Sequence, residues 1–307
     1  MKHIIELESG ERDISLYPLS SDYTLSLDRP IYNVEKIRVV SAVIPRSQTL
    51  VNSVNKVFKV DDTEVTLDEK NYTSGQDLAT DLTAKIPSIS VTFNSTNDSL
   101  TFTGSTSFTL SFTSESTARI LGLLKGDNAS TGTTLVSGAI DLLGVQSIIM
   151  KLSSGDDELE RGLYTSDSGV YFGGFLISGI GSDVIYHYGH LDAIESMYTR
   201  SNKKDITSLR VSFHWKDGTE LVPYDFRNRN HTVKLEIEGN TDKLNSNTID
   251  EDVYTKKELP PPVEMPLFKE KIRDISPDKI IPIALAIVLL LGLVSLANRT
   301  VKENSTG

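Results

Sequence analysis

The feature that most limits how this chain can fold is an uncharged apolar run near its C-terminus, residues 280–297. As an α-helix, these 18 residues extend about 27 Å, close to the hydrocarbon thickness of a bilayer. A buried core helix is the alternative, but the run is apolar on every side and lies ten residues from the C-terminus. We therefore predict a single membrane helix over residues 279–298.

The predicted helix contacts lipid through its large aliphatic side chains. They are Ile280, Ile281, Ile283, Leu285, Ile287, Val288, Leu289, Leu290, Leu291, Leu293, Val294 and Leu296. The flanking cations favour a body that stays on the cytosolic side: Lys269, Lys271, Arg273 and Lys279 precede the run, and Arg299 and Lys302 follow it. The N-terminal sequence is too charged to be a signal peptide, which agrees with that orientation.

The composition excludes several classes of function. The net charge is −11 at pH 7 and the pI is about 5.0, which argues against sequence-independent nucleic-acid binding, because such binding needs a basic surface. The chain has no cysteine, so disulfides, thiolate metal sites and cysteine nucleophiles are excluded. The lack of cysteine also favours assembly in a reducing compartment.

The N-terminal body has the pattern of short β-strands separated by turns, because apolar residues alternate with Ser, Thr and charged residues. The first strand is predicted to carry Tyr23, Leu25 and Leu27 and to end at Arg29-Pro30. In the second, the residues predicted to share one face are Ile37, Val39, Ser41 and Val43, with Pro45 closing the strand.

Further strands are predicted over residues 147–152, 170–178, 184–188, 209–215 and 233–237. Asp217-Gly218 follows one of them and is a strong hairpin signal. Strands at roughly ten-residue spacing with few helices indicate a β-sandwich or a barrel. The predicted fold class is therefore dominated by β-structure.

One helix interrupts these strands. Ser74 is a suitable N-cap with Asp77 three residues later, and the apolar residues that follow have helical spacing: Leu78, Leu82 and Ile86. A shorter helical turn is predicted over residues 116–124. The strands around the helix are close in sequence, so residues 55–125 are predicted to be a small inserted α+β subdomain.

Few residues suggest chemistry. His187 and His190 are three apart, but Gly189 and the strand pattern before it argue against a helix that would hold both on a metal. The acidic loop at 153–160 lacks the regular spacing of a calcium loop, so a solvated loop is preferred. We find no phosphate-binding loop, nucleophile elbow or dinucleotide motif, and we predict no catalytic residue, metal or cofactor and no enzyme activity.

The order of several motifs resembles minor capsid proteins of large icosahedral double-stranded DNA viruses of the nucleocytoplasmic type. The early motifs are Asp13-Ile-Ser-Leu-Tyr-Pro18, Asp22-Tyr-Thr-Leu-Ser-Leu27 and the segment 31–45. The later ones lie at 71–78, 91–94, 100–102, 118–122, 209–213, 217–218, 224–226 and 233–237. The resemblance covers about residues 10–240 in separate pieces.

The resemblance implies a jelly-roll β-sandwich formed by residues 1–54 and 126–245, with 55–125 inserted. A proline-containing linker (246–278), the membrane helix and a tail (299–307) would follow. It implies a structural protein that links the capsid shell to an internal viral membrane. The implied partners are the major capsid protein, other minor capsid proteins, the lipid bilayer and further copies of the chain. The implied location is the virion, beneath or within the shell, after assembly in the host cytoplasm.

Two other functions are open at this point. One is a membrane-tethered adhesion or receptor-binding module, which would bind a ligand through its loops. The other is a membrane-tethered hydrolase on a β-sandwich, which would need a cleft with paired carboxylates. A two-jelly-roll arrangement is the alternative architecture, and pairing of strands from 14–45 with strands from 206–238 would favour a single sandwich.

Overall fold

The structure, a computed structural model of the chain, describes residues 1–159, 162–165, 169–177, 183–198 and 203–241. These residues belong to one structural unit and are mostly β-sheet, as the sequence predicts. The predicted linker, membrane helix and tail, residues 246–307, lie outside the described residues. Within the described ranges, no helix is long and apolar enough to cross a bilayer.

Two β-sheets, sheet I and sheet II, share the long strand β2 (Asp22–Pro45). Sheet I also contains β1 (Lys2–Glu8), β15 (Val184–Tyr188), β16 (Glu195–Met197) and β19 (Thr232–Asn240). Sheet II also contains β10 (Ser147–Ser154), β11 (Asp157–Glu158), β14 (Gly173–Leu176), β17 (Lys204–Asp217) and β18 (Glu220–Pro223). A separate ladder joins β12 (Leu163–Tyr164) to β13 (Val170–Tyr171), and a 3-10 turn (Ser9–Glu11) follows β1.

The pairing of β2 brings together strands that are distant in sequence. Along one side, β2 pairs in succession with β17, β16 and β15, and along its other side it pairs with β19. All of these pairs are antiparallel, and β1 extends sheet I beyond β19. The N-terminal and C-terminal parts of the described chain therefore share one two-sheet arrangement.

One hydrophobic cluster takes its side chains from both sheets. Buried and less buried residues alternate along β17 and β19, and the buried ones are Leu209, Val211, Phe213, Trp215, Val233, Leu235 and Ile237. Successive side chains of a strand point to opposite faces, so this alternation directs the apolar ones into a common core. Each large apolar side chain buried there stabilises the fold by about 1.5–3 kcal/mol.

β2 continues through Pro30, so the strand end predicted at this residue is wrong. Ser26 pairs with Ser208 and Ile31 with Ile206, which leaves four residues of β2 opposite one residue of β17. This irregularity accommodates the proline, because proline has no N–H to donate to a ladder. A proline can end a strand or lie in a bulge, and only the partner strand distinguishes the two.

The residues between β2 and β10 form an inserted α+β part with its own hydrophobic cluster. One of its sheets has the order β4 (Thr63–Thr66), β3 (Val57–Val60), β7 (Thr109–Phe112), β8 (Gly126–Ala129). The other has the order β5 (Ile89–Asn94), β6 (Ser99–Gly104), β9 (Thr134–Ala139). Its helices are α1 (Gly75–Lys85) and α2 (Glu115–Ile120). We call this part the insertion, and the two shared sheets the sandwich.

The insertion extends further along the chain than the predicted range, 55–125. β8 and β9, which the family resemblance placed in the sandwich, pair with β7 and β6. Leu135, Ile140 and Leu142 pack against the insertion's cluster, and Leu50 is buried in it at the other end. β8 and β9 are short and rich in polar residues and glycine, and the pairing of such strands is decided by tertiary contacts rather than by pattern.

The helix α1 begins where the sequence predicts. Ser74 Oγ accepts a hydrogen bond from the N–H of Asp77 at 3.2 Å, and the Asp77 carboxylate accepts one from the N–H of Thr73 at 3.2 Å. These bonds satisfy N–H groups that the first helical turn leaves unpaired. Leu78 and Leu82 are fully buried, which confirms the predicted apolar face.

A buried hydrogen bond joins the insertion to the hairpin between β17 and β18. This hairpin forms at Asp217-Gly218 as predicted, with Gly218 at φ +64°. Asp217, only 5% exposed, accepts a 2.6 Å hydrogen bond from the N–H of Ser116 in the first turn of α2. Within the insertion, the side chain of Asn55 donates to Ser116 Oγ at 3.0 Å and so fixes the same turn of α2. A buried carboxylate therefore holds α2 against the sandwich.

Candidate interaction surface

The solvent-facing side of sheet I presents four rows of side chains that cross its strands. Alternation directs every second residue outward, and the pairing register aligns these residues across the sheet. The rows are Glu8–Thr232–Val43–Tyr186, Glu6–Lys234–Ser41–Tyr188, Ile4–Glu236–Arg38–Glu195 and Lys2–Glu238–Lys36–Met197. The face is therefore apolar at one corner and charged over most of the remainder.

The charged part of this face is a network of ion pairs. Glu236 lies 3.3 Å from Lys2 Nζ and 3.2 Å from Arg38 Nη2, and Lys2 also reaches Glu238 at 3.1 Å. Hydrogen bonds to Glu238 and Glu236 raise the pKa of Lys2. Two further pairs are Lys36–Glu195 at 2.6 Å and Lys234–Glu6 at 3.5 Å. Exposed pairs contribute only about 0–1 kcal/mol each, so the network mainly sets which charges the face offers.

The apolar corner, named here the tyrosine patch, consists of Val43, Tyr186 and Tyr188. Their side chains are 43%, 61% and 50% exposed. Tyrosine combines a large apolar surface with a polar hydroxyl and is enriched in protein interfaces. Adjacent exposed apolar side chains on a rigid sheet are typical of a contact surface.

A bulge in β2 creates this patch. Leu235 pairs with Val39 and Lys234 with Ser41, so Val40 is an extra residue in β2. An extra residue inverts the alternation of the side chains that follow it. The prediction that the second strand keeps one face from Ile37 to Val43 is therefore wrong beyond the bulge, where Ser41 and Val43 turn outward.

A second apolar feature, named the apolar loop, covers residues 12–21. Ile14, Leu16 and Leu19 are 64%, 70% and 58% exposed. Three large aliphatic side chains in one short loop are costly to leave in water unless another surface covers them. The loop is therefore a second candidate contact site.

Arg12 holds the apolar loop in place. Arg12 is 8% exposed, and its guanidinium donates to the carbonyl oxygens of Tyr17 at 3.0 Å and Pro18 at 3.3 Å, and also to that of Ser9. Asp13 accepts a 2.9 Å bond from the N–H of Ser15, and its hydrogen bonds to this residue lower its pKa. The loop backbone is thus ordered while its apolar side chains face solvent.

Next to Arg12, the sandwich core contains a buried polar pair that the sequence did not reveal. Tyr23 Oη lies 3.1 Å from His231 Nε2, and the rings of Phe213 and Phe226 are each centred 4.5 Å from the imidazole. Burial lowers the pKa of His231 to about 3 and raises that of Tyr23. The imidazole is therefore neutral at neutral pH, and its hydrogen bond with Tyr23 ties the residue before β19 to β2.

The metal candidates considered from the sequence are not brought together. His187 is buried edge-on against Phe175, with ring centroids 5.2 Å apart, and burial lowers its pKa. His190 lies exposed in the turn after β15. In the acidic loop, Asp157 pairs with Lys204 at 2.6 Å. The described residues contain no group of three or more His, Asp or Glu side chains that could hold a metal ion.

A cavity of about 320 Å³ lies on the outer side of sheet II and is lined by Asp22, Lys151, Asp156, Arg210 and His214, among others. Arg210 is hydrogen-bonded to both carboxylate oxygens of Asp22, at 2.9 and 2.8 Å. Its most prominent charges thus neutralise each other.

β1, at one edge of the charged face, was not predicted as a strand. The available signal was the alternation of His3, Ile5 and Leu7 with more exposed neighbours, which is weak because Ile4 interrupts the polar set. Within the apolar loop, the sequence identifies only the motif at residues 13–18, because the exposure of Leu16 cannot be read from its sequence neighbours.

A family of unknown function (DUF5901) matches residues 2–120. The match covers β1, β2 and the insertion as far as the end of α2, and does not reach β17 or β19. The family description names no activity. None of the curated proteins matches the chain.

Two viral structures align with most of the chain. The crystal structure of selenomethionine-labelled mavirus penton protein gives a TM-score of 0.39 at 10% identity, over 78% of this chain and 99% of that one. The cryo-EM structure of the Sputnik virophage at 3.5 Å gives a TM-score of 0.39 at 11% identity, over 78% of this chain and 97% of that one. A TM-score of 0.39 does not establish a common fold.

Proposed function

We propose that this chain is a structural protein of a viral capsid, a minor capsid protein with a jelly-roll body. The observation that carries this proposal is how the motifs resembling minor capsid proteins meet. β2 contains two early motifs, at 22–27 and 31–45, and pairs directly with β17 and β19, which contain the late motifs at 209–213 and 233–237. Pieces scattered along the chain thus belong to one sandwich.

The exposed apolar features support an assembly role. A shell component must contact several neighbours, and the apolar loop and the tyrosine patch offer separate contact sites on an ordered scaffold. The charged face of sheet I adds a pattern that can select a partner and its orientation. No catalytic role is assigned to any residue.

The proposal includes the parts of the chain beyond the sandwich. The linker over 246–278 would span the distance to an internal viral membrane, and the helix over 279–298 would insert in it, with 299–307 as a tail. The proposed partners are the major capsid protein, other minor capsid proteins and the bilayer. The proposed location is the virion, beneath or within the shell.

Particles of the virus that encodes the chain test the proposal. Full-length protein is expected to remain with particles after the outer proteins are stripped, and to float with the membrane fraction once the shell is disrupted. A variant truncated after residue 245 is expected to lose the flotation, because the apolar run supplies the bilayer contact. Absence of the full-length protein from purified particles contradicts the capsid role, and saturable binding of the body to host-cell surfaces favours the adhesion alternative.

A loop variant separates shell contact from membrane contact. Leu16→Ser changes an exposed side chain, so the melting temperature should stay nearly constant, with a stability change within about 0.5 kcal/mol. Incorporation into particles should fall, while flotation with membranes stays unchanged. Thr24→Ser, on the outer side of sheet II, serves as the matched surface control and should be incorporated normally.

A further inference from the structure

β1 has a side without a strand partner in the described part of the chain. β1 pairs with β19 over its whole length. Two hydrogen bonds at the ends of this ladder set its phase: Gly239 N–H donates to the Met1 carbonyl and Ser9 N–H to the His231 carbonyl, both at 3.0 Å. Bonded pairs alternate along an antiparallel ladder, so odd-numbered residues of β1 bond to β19 and even-numbered residues direct their backbone groups away from it.

The free edge of β1 therefore presents the N–H and C=O groups of Lys2, Ile4, Glu6 and Glu8. Within the described ranges, β19 is the only strand that pairs with β1. β1 contains no proline, and its register with β19 has no bulge. Prolines and bulges are two of the usual features that prevent an edge strand from adding another strand. Because β1 has neither, its edge can accept a further strand.

The side chains at this edge are complementary to themselves. Ile4 is 58% exposed and lies in the middle, with Lys2 two residues before it and Glu6 two residues after it. We propose that a second copy of the chain pairs with this edge, β1 against β1, antiparallel about a two-fold axis at Ile4. Ile4 then faces Ile4 of the second copy, and each Lys2 faces the Glu6 of the other.

Other two-fold registers with the same backbone bonding are less favourable. A shift that places Lys2 opposite Glu8 puts Ile4 opposite Glu6, so an apolar side chain faces a charge. A further shift puts Glu6 opposite Glu6, and like charges directly opposite one another are destabilising. Only the register centred on Ile4 matches apolar with apolar and each charge with its opposite.

The existing ion pairs continue this pattern into the second copy. Within one chain, Lys234 pairs with Glu6 at 3.5 Å, and Lys2 pairs with Glu238 at 3.1 Å. In the dimer, one row would be Lys234 and Glu6 of the first copy followed by Lys2 and Glu238 of the second. The signs alternate without a break, so sheet I becomes continuous across the two copies.

This inference does not depend on the capsid role, because it concerns the folded chain alone. The full chain, kept in mild detergent, is the test material. The natural sequence has no cysteine, so a single introduced cysteine reports one position only. Residues opposite each other in a bonded antiparallel pair have Cα atoms about 5.5 Å apart, a distance that a disulfide can bridge.

The variant Ile4→Cys is expected to form a disulfide-linked dimer under mild oxidation, seen on a non-reducing gel. The matched control is Glu6→Cys, whose two sulfurs would lie four residues apart, about 13 Å. It should cross-link at least roughly tenfold more slowly, the ratio that would correspond to a clear preference for one register. Melting temperatures of both variants equal to that of the natural chain establish that the fold is intact.

Charge exchange tests the register independently in the Ile4→Cys background. Lys2→Glu or Glu6→Lys alone places like charges opposite each other twice, and each should slow cross-linking about tenfold. The double exchange, Lys2→Glu with Glu6→Lys, should cross-link faster than either single exchange, because it restores opposite charges across the edge between the two copies. If Glu6→Cys cross-links as fast as Ile4→Cys, the proposed register is wrong. If the Ile4→Cys chain stays monomeric, or if only a different protein binds this edge, self-pairing of β1 is wrong.

Discussion

The sandwich and the insertion bury their apolar side chains in different ways. The insertion's cluster comes from residues close in sequence, between Leu50 and Leu142. The sandwich's cluster needs Leu7 near one end of the described chain and Ile237 near the other. Closing such long-range contacts costs chain entropy before they stabilise anything, so the two parts should respond differently to the same kind of change.

The largest difference between the sandwich and the insertion is expected when one core side chain is removed from each. Phe213→Ala removes a fully buried ring that packs against Phe226 and His231, and should lower the free energy of unfolding by about 3–5 kcal/mol. Leu82→Ala in α1 should cost about 2–5 kcal/mol. Hydrogen exchange is expected to increase in β2, β17 and β19 for the first variant, and between residues 50 and 142 for the second. The contrast fails if both variants loosen both parts equally.

Titration of histidine should make the sandwich more sensitive to acidification than the insertion, because all five histidines lie outside residues 50–142. The pKa of His231 is about 3 in the folded chain against 6.5 ordinarily. Below pH 6.5 the unfolded chain therefore binds a proton that the folded chain does not, and stability falls as pH falls. By pH 4 this group alone should cost about 3 kcal/mol. The lowered pKa values of His187 and His214 act in the same direction.

Denaturant unfolding of His231→Gln, measured at pH 7 and pH 4, checks this expectation. The amide can still partner Tyr23 but does not titrate, so the stability lost between the two pH values should shrink by about 3 kcal/mol. Tyr23→Phe is the control, because it removes the hydroxyl and keeps the imidazole. It should lower the free energy of unfolding at both pH values, and the stability lost between pH 7 and pH 4 should stay close to that of the wild type.

The smallest change in the free energy of unfolding is expected at the hydrogen bond between Asp217 and Ser116, which joins the sandwich to the insertion. Asp217→Ala leaves the buried N–H of Ser116 without its acceptor, at a cost of about 1–3 kcal/mol. Ser114→Ala removes the N-cap of the same helix without touching the sandwich and should cost about 1 kcal/mol. Limited proteolysis between residues 46 and 56 should accelerate for the first variant only. Equal acceleration for both would mean that the carboxylate does not join the two parts.

The success of sequence-based prediction follows the same division. The cap at Ser74, the buried face of α1 and the Asp217-Gly218 hairpin were predicted correctly, because each depends on residues within a few positions of one another. The alternation in β17 and β19 was also correct, since one face of each strand meets the core. The errors at Pro30 and Val43, and the placement of β8 and β9, all concern which strand pairs with which.

The candidate surface shows this limit most clearly. The sequence by itself determined the apolar run at 280–297, the strand periodicities and the helix cap, because these are properties of neighbouring residues along the chain. Only the tertiary structure decided that Val43 faces outward, that Arg12 orders an exposed apolar loop, and that β1 is an edge strand of sheet I among the described residues. Bulges, edges and exposure are set by partner strands about 190 to 236 residues away in sequence, and a local pattern contains no record of them.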